Sequence, residues 1–308
     1  MKKFLFKISL YILPIFTLLL VLGSFADGNT DDNYRHFVGS APSNIIIGDS
    51  RGVQALVPVV LNEKLKGKPF NNFAFNVADS PFGETYLNAI KKKVDPKTKN
   101  GIFILTVDPW SLSVAKNINS EKDFPETKSF ISKMIFFNSS PNYEYLLKNY
   151  SRSWFKIFQE RESKEKSASY LHKDGWMEIT VDVHPDSLIM RETKIVKEYI
   201  EHVKTQKLSN ERFLALNKII QFLQTKGTVY IVRIPGSAKI MDLENQYFGE
   251  FNRRINEISV KNKVPYFDFS PDYNSYIYTD GNHMYKASSK IFTAQIADSI
   301  ILYRNNLK

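Results

Sequence analysis

Asn44-Ile45-Ile46-Ile47-Gly48-Asp49-Ser50-Arg51 is the stretch whose reading decides the fold. Its apolar run has no polar alternation, as expected of a strand covered on both faces in a parallel sheet. Gly-Asp-Ser follows at once, and this turn chemistry sets a serine hydroxyl at the carboxyl edge of the strand. Open α/β sheets place their sites along that edge. A hydroxyl there becomes a nucleophile when a base lies within hydrogen-bond reach.

Four more apolar runs read as buried strands: 72–77, Gly101–Val107, 229–234 and 264–269. Helical periodicity fills the gaps at 53–65, 85–94, 209–226 and 242–263, and again at 285–304. The last helix carries Ile291, Phe292, Ala294, Ile296, Ala297, Ile300 and Ile301 on one broad face. Strand–helix alternation predicts an α/β fold, a three-layer α/β/α sandwich around a parallel five-stranded sheet. The gap from about 111 to 208 breaks the rhythm. It is rich in aromatics (Phe130, Phe136, Phe137, Tyr143, Tyr145, Trp154, Phe155, Phe158, Trp176). It is expected to be a mostly helical insertion over the carboxyl ends of the strands. Its aromatics form either the insertion's own core or a platform for carbohydrate or acyl chains.

The 308 residues are 43% hydrophobic and 24% charged, which excludes a disordered, collagen-like or multi-span membrane chain. The 42 basic and 32 acidic side chains leave a net charge of +10 with no long basic run. That suits an anionic surface or substrate. Nucleic acid is not expected, because no motif interleaves aromatic with basic residues. With no cysteine, disulfides, thiolate zinc sites and cysteine nucleophiles are excluded. His36, His172, His184 and His202 lack metal-ligand spacing, so neither a metal nor another cofactor is expected.

Residues 1–26 begin with Lys2, Lys3 and Lys7 and continue as an apolar run over 8–26, long enough to span a hydrocarbon core of about 30 Å. The lysines stay in the cytoplasm and residue 27 onward lies outside. Ser24-Phe25-Ala26 also fits the small-residue pattern of a cleaved signal peptide. Residues 27–43 have linker composition, and 44–308 form the domain with its insertion.

Thr279-Asp280-Gly281-Asn282-His283 precedes the last helix. In a tight turn, Asp-x-x-His brings the carboxylate to imidazole Nδ1–H and leaves Nε2 free to take a serine proton, the division of labour in a Ser-His-Asp triad.

The two motifs, in this order, resemble the first and last blocks of the SGNH (GDSL-type) hydrolase superfamily, over residues 44–110 and 226–303. The resemblance implies a flavodoxin-like sandwich with Ser50 as nucleophile, His283 as base and Asp280 as its orienting carboxylate. Typical members add oxyanion donors from a glycine after the second strand and an asparagine after the third. Here the second-strand segment from Asn72 onward has no glycine before Gly83, and the third strand ends Thr106-Val107-Asp108-Pro109-Trp110. An anionic Asp108 cannot replace an amide donor. The remaining donors are the Ser50 or Arg51 backbone N–H, helped by the Ala78 N–H or the Asn76 side chain. Losing one such donor costs about 10²–10³ in rate.

Gly-Asp-Ser-Arg, Val232-Arg233-Ile234-Pro235, Glu244 and the apolar amino terminus look like divergent SGNH-like proteins that serve acylation of the bacterial cell envelope. In such systems a membrane-bound O-acyltransferase passes an acyl group outward, and an anchored partner places it on a surface polysaccharide. The resemblance therefore implies an extracytoplasmic serine acyltransferase or esterase acting on a surface glycan. The alternatives are a non-catalytic scaffold or binding protein of such a system, and a secreted general esterase or lipase. Arg233 is a candidate to hold an oxyanion or an anionic sugar, or else pairs with an acid such as Glu244. Arg51 either touches substrate or packs the helix start, and Asp49 bonds turn amides. Asp182-Val183-His184 reads as a strand with both polar side chains on one face. Lys91-Lys92-Lys93 reads as solvated surface, with anionic polymer or lipid headgroups as the other reading.

Overall fold

The computed structural model describes residues 1–76, 79–150, 152–160 and 168–306. In chain order its elements are α1 (Lys2–Ser24), β1 (Asn44–Ile47), α2 (Ser50–Ala55), α3 (Pro58–Leu65), β2 (Phe70–Asn72), α4 (Glu84–Lys93), β3 (Gly101–Val107) and β4 (Ser113–Ala115). The short helices α5 (Phe130–Lys133), α6 (Tyr143–Lys148) and α7 (Trp154–Glu160) follow, then β5 (Ser169–Leu171), β6 (Met177–Ile179) and the long α8 (Pro185–Thr205). The chain continues through β7 (Gln206–Leu208), α9 (Asn210–Gln224), β8 (Gly227–Arg233), α10 (Ala238–Tyr247), α11 (Phe251–Asn262), β9 (Tyr266–Asp268) and α12 (Lys286–Asn306).

Five parallel strands form the main sheet in the order β2-β1-β3-β8-β9. Side chains alternate across it. Ile45, Ile47, Phe103, Leu105, Val229 and Ile231 face a core shared with α4, α9 and α11. Ile46, Ile102, Ile104, Tyr230 and Val232 face α2, α3 and α12. Helices cover both faces, which gives the three-layer α/β/α sandwich and explains why the strand sequences are continuously apolar.

Several expected boundaries move, each for a local reason. The 72–77 strand is only Phe70–Asn72, because the Asn72 side chain bends the backbone. Its Oδ1 accepts from Ala74 N–H at 3.0 Å and its Nδ2 donates to Gly52 O and Leu56 O. Pro58 splits the 53–65 helix into α2 and α3, since it has no N–H to carry the ladder through. The 242–263 helix is two helices, α10 and α11, separated at Phe248-Gly249-Glu250.

Residues 27–43 are not a free linker. Tyr34, His36 and Phe37 are buried, and Phe37 stacks among Phe73, Phe75, Phe130, Phe137 and Tyr145. Burial of three rings outweighs the polar composition of the segment. The insertion is closed at its neck by the antiparallel β4–β7 ladder. It contains the β5–β6 hairpin and four helices. The 182–184 segment is a loop leading into α8, where Asp182 Oδ1 accepts from His184 N–H at 3.0 Å. Of the basic run, Lys91 and Lys92 are exposed as expected, and only Lys93 departs from that reading. Lys93 is fully buried on Phe137 O and Val38 O, and Lys92 Nζ donates to Met134 O.

Candidate active site

Ser50 is the first residue of α2, at the carboxyl end of β1. Asp49 caps the helix, accepting from Arg51 N–H at 3.0 Å and Gly52 N–H at 3.5 Å. Gly48 is required by close approach, because a Cβ there would lie 1.8 Å from Thr106 Oγ1 on β3. These contacts fix the direction in which the Ser50 hydroxyl leaves the sheet.

His283 and Asp280 sit in a tight turn closed by Thr279 N–H to His283 O at 2.8 Å and flanked by the Tyr278–Met284 bridge. Gly281 holds φ at +86° and packs against Glu192 and Ser237, so the turn needs glycine there. Asp280 Oδ1 accepts from the Asn282 and His283 N–H groups at 2.9 and 2.8 Å. Its Oδ2 lies 2.8 Å from His283 Nδ1, and His283 Nε2 lies 2.8 Å from Ser50 Oγ. Burial alone would raise the Asp280 carboxyl. The His283 bond, its charge and the two amides outweigh burial and hold the group below the usual carboxylate range. The three groups thus form a hydrogen-bonded Ser–His–Asp line.

A second chain of contacts stands behind this line. Asn282 Nδ2 lies 3.2 Å from His283 Nε2, and Asn282 Oδ1 accepts from Arg51 Nε at 2.8 Å. Arg51 Nη2 reaches Glu244 Oε1 at 2.6 Å, Arg233 Nη2 reaches Glu244 Oε2 at 2.8 Å, and Trp110 Nε1 donates to Glu244 Oε1. Arg51, Arg233 and Glu244 are all buried. Neither guanidinium is free to bind an oxyanion or an anionic sugar. Both are held by Glu244, so these two residues support the site from behind. α8 clamps the turn as well, with Arg191 Nε donating to Thr279 O at 2.7 Å.

Of the expected oxyanion donors, the Arg51 N–H is taken by Asp49. Asn76 is exposed, four residues beyond the end of β2, and Ala78 lies outside the described residues. The Ser50 N–H, in the first turn of α2, has no acceptor among the described residues and remains available.

The expectation of an anionic Asp108 is corrected. Burial, the nearby Asp49 carboxylate and a hydrogen bond to it push the Asp108 carboxyl up to about 8, against the pull of Arg51 and the Ser111 N–H. Near neutral pH, Asp108 is a neutral acid that donates to Asp49 and accepts from Ser111 N–H at 2.9 Å. Its proton is therefore directed at the helix cap.

Ser50 opens onto a cavity of about 270 Å³. Its walls include Asp49, Asp79, Trp110 and Ser111, and the insertion contributes Val114, Ile118, Tyr199 and His202. The insertion thus roofs the serine. Tyr199 packs edge-on to Trp110 at 4.3 Å, and burial holds its phenol protonated well above the ordinary range. The Arg233–Glu244 pair is the ion pair the sequence offered for Arg233, whereas Tyr199 had no motif to announce it and Asn282 stood in the Asp-x-x-His turn with no role assigned. The described residues contain no His/Asp/Glu group able to hold a metal ion.

No family model matches the chain, and no curated protein is similar to it. Among solved structures, the inhibitor-bound form of an aryl esterase from M. smegmatis aligns with 83% of this chain and 97% of its own at 12% identity, with a TM-score of 0.32.

Proposed function

We propose that the protein is an extracytoplasmic serine acyltransferase or esterase of the SGNH type, acting on O-acyl groups of a surface polysaccharide. The observation that carries this reading is the hydrogen-bonded line Ser50 Oγ, His283 Nε2, His283 Nδ1, Asp280 Oδ2, with both links at 2.8 Å. Ser50 Oγ attacks the acyl carbonyl while His283 Nε2 takes its proton. Asp280 stabilises the imidazolium, and the Ser50 N–H faces the tetrahedral oxyanion. The C–O bond to the leaving alcohol then breaks, and His283 returns the proton to that oxygen. A sugar hydroxyl or water resolves the acyl-enzyme in the same way, deprotonated by His283.

A cavity of about 270 Å³ lies below the range of drug-sized pockets, which favours a short acyl group. Asp49 and Asp79 share its walls with Arg212 and His202, so the lining carries both signs and does not select the charge of the acyl group. The roof over Ser50 supports transfer, because excluding water lets a sugar hydroxyl compete for the acyl-enzyme. A membrane-bound O-acyltransferase is the proposed acyl supplier, and α1, apolar enough to cross a membrane with a mean hydropathy of 2.3, supports anchoring beside it.

The test is labelling of the full chain with a fluorophosphonate probe, beside Ser50→Ala and His283→Ala. Labelling of wild type that disappears in both variants is expected. A folded wild type that takes no label would favour the scaffold reading.

A further inference from the structure

One group of exposed apolar side chains lies where α1 meets the domain. Tyr143 Oη donates to Leu20 O at 2.7 Å, and Gly23 is buried so tightly that a Cβ would lie 2.6 Å from the Tyr143 ring. α7 packs along α1. The last turns of α1 are therefore seated on α6 and α7. The same helices, with the segment before them, turn large apolar side chains outward. Ile135 is 62% exposed, Phe136 56%, Leu147 69% and Phe155 66%. Glu144 ties Ile135 and Phe136 to α6 by accepting both backbone N–H groups, at 2.9 and 2.8 Å.

Charge at the patch is mostly basic. Lys133, Lys148, Arg152 and Lys156 are exposed around it; the Glu144 carboxylate is occupied by the two amides and Lys148, and Glu160 on α7 lies 4.0 Å from Arg152 and 3.9 Å from Lys156. Aromatic and aliphatic side chains rimmed by lysine and arginine are what a helix needs to lie in the headgroup layer of a bilayer. The path of the chain selects this occupant over another protein. Residues 27–43 are folded into the core and offer no slack, so a domain whose anchor ends on α6 and α7 must bring those helices to the membrane surface.

We propose that α6, α7 and the Ile135–Phe136 segment form an interfacial docking surface, lying in the headgroups of the bilayer that α1 crosses. This rests on the reading of α1 as a membrane span. Docking would fix the tilt of the sheet over the membrane and hold the Ser50 cavity at one height.

The absence of cysteine makes the test direct. Leu147→Cys, Phe155→Cys, Val260→Cys on α11 and Leu13→Cys on α1 each give a single thiol for a polarity-sensitive nitrobenzoxadiazole label. Each full-length variant is reconstituted into vesicles of phosphatidylcholine and phosphatidylglycerol carrying nitroxide lipids. The Leu13 probe should be quenched from deep in the acyl chains. The 147 and 155 probes should be quenched from the headgroup region about twofold or more over the Val260 probe, with blue-shifted emission. Probes at 147 and 155 that behave like the one at 260, while Leu13 is quenched, overturn the docking surface alone. An unquenched Leu13 overturns the membrane span and the docking surface together.

Discussion

Replacing Asp108 by asparagine isolates the proton that Asp108 donates to Asp49, because the amide can make the same two contacts without titrating. In Asp108→Asn the side-chain amide would donate to Asp49 and accept from Ser111 N–H, as the neutral acid does. The carboxyl sits at about 8 in the folded chain against an ordinary value of 3.8. Between those values the folded state binds a proton that the unfolded state has released, so stability must fall as pH rises. It is highest below about pH 4, falls through the window and levels off above about pH 8. At pH 7 the accumulated penalty is about three pH units at 1.36 kcal/mol each, a ceiling of about 4 kcal/mol.

Asp108→Asn removes that slope. Thermal melts of the full chain in detergent, wild type beside variant at a series of pH values, would read it out. The variant should match wild type near pH 4 and pull ahead steadily to pH 8. At about 2–4 °C per kcal/mol, the gain at neutral pH is on the order of 10 °C. A difference between the two proteins that stays constant over pH 5 to 8 would refute the shared proton. So would a variant that loses ground as pH rises.

Glu244→Gln leaves two buried guanidiniums with one neutral partner and should destabilise the fold by about 3–5 kcal/mol, read by denaturant titration. A loss under about 1 kcal/mol would mean that Arg51 and Arg233 reach other acceptors. Tyr199→Phe keeps the packing on Trp110 but removes a hydroxyl from the cavity. If that hydroxyl assists the Ser50 N–H at the oxyanion, acylation by a small acyl ester should slow about 10²-fold. An unchanged rate removes Tyr199 from the chemistry. Gly48→Ala should cost about 1–3 kcal/mol through overlap with Thr106 Oγ1, and adding Thr106→Ala should recover part of it. Two losses that simply add would place the strain elsewhere.

The sheet was legible in sequence because a strand buried on both faces has one signature, a continuous apolar run, and β1 carries it over residues 45–47 and β3 over 102–105. The helices were legible in existence more than in extent. Pro58 and the Phe248–Glu250 break act locally, while the apolar periodicity on either side continues as if unbroken. Segment 27–43 misled for the opposite reason. Composition averages over Asp, Asn and Gly, while the buried rings of Tyr34, His36 and Phe37 tie the segment to the core. The insertion resisted because its short elements are held by contacts far apart in sequence, as Arg191 on Thr279 and β4 on β7 show.

The site divides the same way. Ser50, Asp280 and His283 were legible because two tight turns encode their geometry within a few residues each. The chain from Glu244 through Arg51 and Asn282 to His283 was not, since it joins positions up to 231 residues apart, and only the nearby Arg233–Glu244 pair was among the readings of the sequence. Asp108 shows the limit most clearly. From sequence its side chain is an anion standing where an amide oxyanion donor is expected. In the fold, burial next to Asp49 reverses that charge state, because two carboxylates this close cannot both ionise away from water. The proton that results stiffens the cap on α2 that presents Ser50. Where the sequence showed a missing oxyanion donor, the fold offers Asp108 a part in aiming the proposed nucleophile, and the alkaline limb of Ser50 labelling should move upward in Asp108→Asn if that is its role. An alkaline limb identical to wild type would leave Asp108 with no part in aiming the serine.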